Sequence, residues 1–168
     1  MDELFRLATQ YLHVFAGILW LGGGFYTILV QLPAVLAAPP ASRGPVVAQL
    51  APRQIRYILR VAEITIATGV LNVFATGRAA QFLDPFGQRW TLVLGAGILL
   101  AVGLYVLIQA TLVPWTDRML AIGPQAAAGD AAVAAEVGAI IQRIRTVGRI
   151  QLAIGALIIL AMVTARLS

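Results

Sequence analysis

The sequence predicts an all-α integral membrane protein, a four-helix bundle with both termini outside the cytoplasm. Of the 168 residues, 60% are hydrophobic and only 11% are charged, whereas soluble domains average about 25% charged residues. No charged residue occurs between Arg6 and Arg43, or between Arg89 and Asp117. Each gap exceeds the ~20 apolar residues that cross a hydrocarbon core of ~30 Å. We therefore expect one four-span membrane domain over residues 1–168.

Hydrophobic runs and the residues that interrupt them place the first three spans at about 7–32, 54–77 and 88–113. Five prolines mark a loop between the first two spans: Pro33, Pro39, Pro40, Pro45 and Pro52. The sequence Asp84-Pro85-Phe86-Gly87 predicts the next turn. Pro114 is expected to end the third span.

The fourth span is predicted at about 145–166, after a Gly/Pro/Ala-rich linker from Ile122 to Gly129. Asp130 can cap a helix by accepting hydrogen bonds from the free amides of its first turn. That helix can run without a break from about residue 131 into the fourth span.

The arginines predict the orientation. The loops after spans one and three, with their flanks, hold eight of them, and the other side holds Arg6, Arg78, Arg89 and Arg166. Cytoplasmic loops carry the excess of basic residues, which puts both long loops in the cytoplasm of a multi-pass protein of the cell inner (plasma) membrane. This placement also explains the net charge of +5, and no nucleic-acid partner is expected. The absence of cysteine excludes disulfides and thiolate metal sites.

His13 is the only histidine, about 9 Å inside the predicted outer end of span one. Gly17, Trp20 and Gly24 follow it at helical spacing. A histidine with small residues on its face can let a flat macrocycle lie against the helix, and haem iron commonly takes a histidine ligand. A hydrogen bond from His13 to a neighbouring helix is the alternative.

Three further residues belong to this candidate site. Met162 is predicted at a similar depth to His13, where it could be a second iron ligand or an ordinary packing residue. Asn72 could bond a haem propionate or another helix. Tyr26 is a candidate cofactor-binding residue and the first step of a polar route towards the cytoplasm.

Glu63 is the most costly residue to bury, because a carboxylate at a helix centre costs about 2.5–3.5 kcal/mol on insertion scales. It could pair with Arg60 or Arg149, be protonated, or face a watery cavity. Together with Tyr105 these residues form either a proton path or an ion-pair cluster at the membrane edge.

The run from Tyr11 to Gly22, continued by Phe25-Tyr26 and by Gln31 to Ala34, resembles the first helix of a group of small haem-associated membrane proteins. The group includes HemJ-type protoporphyrinogen oxidases, copper-resistance-D-like proteins and the membrane domain of cytochrome-c-linked urate oxidases. The basic segment Arg145 to Ile150 is also similar. The resemblance implies that His13 ligates haem. It does not extend to the lysine on which HemJ-type enzymes rely, because this chain has no lysine.

These observations favour a membrane b-type haem protein for electron transfer or respiratory-chain-linked oxidation. In the second case the protein would be a haem-dependent oxidoreductase. Haem b would be bound by His13 alone, by His13 with Met162, or between the His13 residues of a homodimer. Cytochrome c or a quinone would be the redox partner. The alternatives are a copper- or metal-handling membrane protein and a structural subunit without a cofactor.

Overall fold

Four long helices make up the chain in a computed structural model that describes residues 2–83 and 88–167. Each of the four is long and apolar enough to cross a membrane. The predicted all-α, four-helix membrane bundle is confirmed. The predicted turn at residues 84–87 lies outside the described residues.

The first hairpin begins with α1 (Asp2–Tyr26), which continues through a π-helical turn (Thr27–Gln31) into α2 (Leu32–Ala37). After a short break, α3 (Pro40–Ala75) returns along α1. A 3₁₀ turn (Ala79–Leu83) then leads towards the second hairpin.

The second hairpin has the same plan. Its first helix consists of α4 (Arg89–Leu107), a second π turn (Ile108–Leu112) and α5 (Val113–Ala127). The returning helix is α6 (Ala131–Leu167), which packs against both α4 and α5. We call the end with the α2–α3 and α5–α6 connections the turn end, and the opposite end the termini end.

Each π turn ends two residues before a proline, Pro33 in the first hairpin and Pro114 in the second, and explains why that proline does not end the helix. The amide before Pro33 donates to the carbonyl of Thr27, five residues back, and the amide before Pro114 donates to the carbonyl of Ile108. A proline ring clashes with the carbonyl four residues earlier in an α-helix, and the wider π turn relieves that clash. The predicted stop at Pro114 is therefore wrong.

The predicted proline-rich loop is also largely helical. Pro40 lies in the first turn of α3, where the amide that proline lacks would have no partner inside the helix. Pro45 and Pro52 lie inside α3. Each removes one backbone bond from a 36-residue helix, and packing on the neighbouring helices compensates for that loss. Only residues 38 and 39 remain between α2 and α3.

The predicted linker between spans three and four is likewise shorter than expected. Most of residues 122–129 form the end of α5, and residues 128–130 make the turn. Gly129 has a φ of +99°, which glycine adopts without steric cost. Asp130 caps α6 as predicted: its carboxylate accepts from the amides of Ala132 and Val133 at 3.0 and 3.1 Å.

The four helices are longer than a bilayer requires. They contain 35 to 39 residues, which at helical rise is ~50–60 Å, against a hydrocarbon core of ~30 Å. Exposed arginines crowd the turn-end parts of α3 and α6: Arg53, Arg56, Arg143 and Arg145. We infer that the turn end projects from the membrane.

All four long helices contribute to the buried core. Trp20 of α1, Ala62 of α3, Leu104 of α4 and Ile158 of α6 are among its fully enclosed members. Beyond the core, Arg118 of α5 pairs with Glu136 of α6 at 2.8 Å. The core therefore joins the two hairpins near mid-bundle.

Candidate functional site

His13 lies between α1 and α3, where its Nδ1 is 2.9 Å from the carbonyl oxygen of Thr65. A carbonyl can only accept, so Nδ1 carries the proton and donates it. The neutral ring then has its lone pair on Nε2, for which the structure records no hydrogen-bond partner among the described residues. The bond fixes both the tautomer and the orientation of the only imidazole in the chain.

Gly69 makes this bond sterically possible. A Cβ on Gly69 would lie 2.8 Å from His13 Cε1 and 3.0 Å from His13 Nδ1. In an α-helix the amide of residue 69 bonds to the carbonyl of residue 65, and a side chain at residue 69 would therefore cover the carbonyl that His13 reaches. The glycine is thus part of the histidine site.

The face of α1 that follows His13 is covered by protein. The Cβ position of Gly17 is 3.6 Å from the Cγ2 methyl of Thr65. Trp20 is only 3% exposed and belongs to the core. The space beside Gly17 that the sequence predicts for a porphyrin is occupied by α3.

Asn72 reaches the same seam, one helical turn beyond Gly69. Its Nδ2 donates to Gln10 Oε1 at 2.7 Å, while its Oδ1 is shielded from solvent and has no partner among the described residues. Asn72 therefore bonds another helix, and one acceptor beside the histidine remains unused.

Met162 and Tyr26 are engaged elsewhere. Met162 packs in the seam between α6 and α4, where its Cε is 2.8 Å from the Cβ position of Gly97. Tyr26 ends α1 and is 57% exposed. The structure thus brings Asn72 close to His13 along α1 and α3, and places Met162 in the opposite hairpin.

The predicted polar route is assembled in part. Arg60 Nη1 is 3.1 Å from Glu63 Oε2, and Tyr105 donates to Glu63 Oε1 at 3.1 Å. Gln109 extends this chain by donating to the Tyr105 hydroxyl at 3.1 Å. Arg149 is exposed on α6 and has no ion pair in the described part of the chain.

This polar chain lies on the outside of the bundle. The Arg60 side chain is 75% exposed and that of Glu63 is 41% exposed. Of the two partners expected for Glu63, the structure therefore pairs it with Arg60, three residues away on the same helix.

A cavity of about 200 Å³ between the two hairpins was not predicted. It extends from Trp20 towards the turn end, and residues of both π turns line it. The open side of Gly24, where a Cβ would meet no atom within 4 Å, faces this region. The run Gly22-Gly23-Gly24 in α1 was the available sequence signal for this cavity, but glycine also marks tight helix packing in membranes.

In the described part of the chain, no group of three or more His, Cys, Asp or Glu side chains could hold a metal ion. Comparison with known proteins finds no matching family model, no similar curated protein and no similar solved structure.

Proposed function

We propose that the protein is a b-type haem protein of the inner (plasma) membrane that works in electron transfer or respiratory-chain-linked oxidation. The observation that carries this proposal is the 2.9 Å bond from His13 Nδ1 to the Thr65 carbonyl. Metal-ligating histidines almost always donate their other ring N–H to a carbonyl, carboxylate or water. The resemblance of the first helix to haem-associated membrane proteins agrees with it.

The residues present fit an iron ligand, but they do not enclose a macrocycle within one chain. His13 would hold the iron through Nε2, the nitrogen left free by the bond to Thr65. Bound haem would supply the one-electron chemistry. The bond to Thr65 would keep the imidazole oriented and raise its basicity. Since α3 covers Gly17 and the core covers Trp20, cover for the porphyrin would come from outside the hairpin, as in a homodimer.

Visible absorption spectra of the purified protein, oxidised and reduced, test the proposal. After haem supplementation we expect a Soret band in the unaltered protein. His13→Ala should abolish it, while Gln10→Ala, one turn away on α1, should retain it. A protein without a Soret band, or an unchanged spectrum in His13→Ala, would refute the proposal. Met162→Leu should leave the band in place because Met162 packs against Gly97.

A structural subunit without a cofactor is the second candidate. The same observation favours it, because the bond to Thr65 already satisfies one nitrogen of a half-buried imidazole, and Asn72 and Met162 both have contacts within the bundle. This candidate predicts co-purification with a larger complex, no Soret band, and the same assembly in His13→Ala as in the unaltered chain.

A further inference from the structure

We propose that the cavity between the two hairpins binds the ring of a lipid-soluble quinone, with the side-chain amide of Gln151 donating to a quinone carbonyl. The proposal concerns binding alone and does not depend on haem. Gly24, which opens onto this cavity, is 11 residues from His13, ~16 Å along α1.

The size and lining of the cavity favour a single ring. A dry apolar cavity of ~150 Å³ is enough to bind benzene, and this cavity measures about 200 Å³. Its walls are mainly aliphatic, with Trp20 and Phe25 at the α1 side. Among the described residues that line it, none is charged. A neutral, largely apolar ligand is therefore favoured over a fatty acid or a phosphate headgroup, whose charge would be costly to bury.

The glutamines in the wall indicate the rest of the ligand. Thr27, Gln31 and Gln54 satisfy one another: Gln54 donates to the Thr27 hydroxyl, and Gln31 donates to Gln54 Oε1 at 2.6 Å. Gln151 differs, because its Nε2 is shielded from solvent and has no partner among the described residues.

An unpaired buried donor costs about 1–3 kcal/mol, and a ligand that supplies an acceptor recovers part of this cost. A side-chain amide nitrogen only donates, so the ligand must present an acceptor such as a carbonyl. A quinone is a membrane-soluble molecule that combines one neutral ring with carbonyl acceptors, and it meets both requirements.

Quenching of Trp20 fluorescence tests the proposal directly. Trp90→Phe and Trp115→Phe leave Trp20, which lines the cavity, as the sole reporter. Titration of the detergent-solubilised protein with a decyl-substituted benzoquinone should give saturable quenching. Quenching that never saturates would overturn the proposal.

Gly24 and Gly22, which lie two residues apart in α1, provide a matched test and control. Gly24→Leu places its side chain into the cavity wall, whereas Gly22 is exposed, does not line the cavity, and also has no atom within 4 Å of its Cβ position. We expect Gly24→Leu to weaken quinone binding by roughly tenfold or more, since a filled cavity resists overpacking. Gly22→Leu should bind as the parent does. Equal binding by both variants would place the quinone elsewhere and overturn the proposal.

Gln151→Leu tests the proposed hydrogen bond from the Gln151 amide to a quinone carbonyl. Quinone affinity should fall by roughly three- to tenfold, while the affinity for decylbenzene, which has no carbonyl, should not fall. If decylbenzene binds the parent as tightly as the quinone does, the cavity is a general hydrocarbon chamber and the proposal is wrong. His13→Ala should bind the quinone normally, so loss of the Soret band and loss of quinone binding are separate outcomes.

Discussion

Replacing Gly69 with alanine would disturb the hydrogen bond by which His13 of the first span contacts Thr65 of the second. The new Cβ would lie 2.8 Å from His13 Cε1, closer than packed carbon atoms tolerate. The imidazole would have to move, and its bond to the Thr65 carbonyl would lengthen or break.

The change in the free energy of unfolding has three contributions, one stabilising and two destabilising. Alanine is better than glycine in a helix by about 1 kcal/mol. Overpacking costs about 1–3 kcal/mol, and loss of the hydrogen bond costs about 0.5–1.5 kcal/mol. We therefore expect Gly69→Ala to lower the free energy of unfolding by about 0.5–3.5 kcal/mol.

Gly103→Ala is the control, because no atom lies within 4 Å of the Cβ position of Gly103. This substitution should change stability only through the higher helix propensity of alanine. Reversible denaturation in detergent, followed by circular dichroism, gives both free energies. Subtracting one free energy of unfolding from the other cancels the helix preference of alanine, and the difference should be about 1.5–4.5 kcal/mol.

Nitrogen NMR of the imidazole reports the bond itself, since His13 is the only histidine. The parent should show protonation at Nδ1, and Gly69→Ala a mixture of tautomers. Equal stability of the two alanine variants, together with an unchanged imidazole spectrum, would refute the reasoning.

Two further predictions concern packing and topology. Gly148→Ala should destabilise the protein because its Cβ would overlap Ile28 Cδ1 and lie 3.1 Å from Ile28 Cγ1. Adding Ile28→Ala should recover part of that loss, by a coupling of at least about 0.5 kcal/mol, and purely additive unfolding free energies would contradict the contact. A reporter fused to the C-terminus should be active only if it functions outside the cytoplasm, since the arginine bias predicts that this end lies outside. Activity confined to a cytoplasmic reporter would contradict that predicted topology.

The fold class was predictable because composition alone decides whether a chain can be soluble, and here 60% of the residues are hydrophobic. The ends of the helices could not be predicted from the sequence, because the prolines indicated helix ends where the helices in fact continue. Pro33 and Pro114 normally indicate a helix end, but a π turn before each one removes the clash. Neither turn is visible in the sequence, since it depends on a one-residue change in backbone bonding within an otherwise apolar helix.

In the candidate site, contacts within one helix could be predicted from the sequence, whereas contacts between helices could not. The Arg60–Glu63 pair could be expected, since residues three apart share a helix face. His13 was identifiable as the only imidazole, but its bond to Thr65 joins residues 52 apart, and only tertiary packing creates it. Met162 matched His13 in predicted depth, yet depth does not specify direction, and its side chain points to Gly97.

Each hairpin has its own π turn followed by a proline, but the side chains of the two π turns have different environments. Each π turn contains one glutamine. Gln31 of the first faces inward and pairs with Gln54 beside the cavity. Gln109 of the second is exposed and extends the surface chain through Tyr105. Because a π turn adds one residue to a helical turn, it changes which side chains face the bundle interior beyond it. The cavity therefore lies where both hairpins depart from regular helix, and its amide side chains come from the first hairpin and from α6.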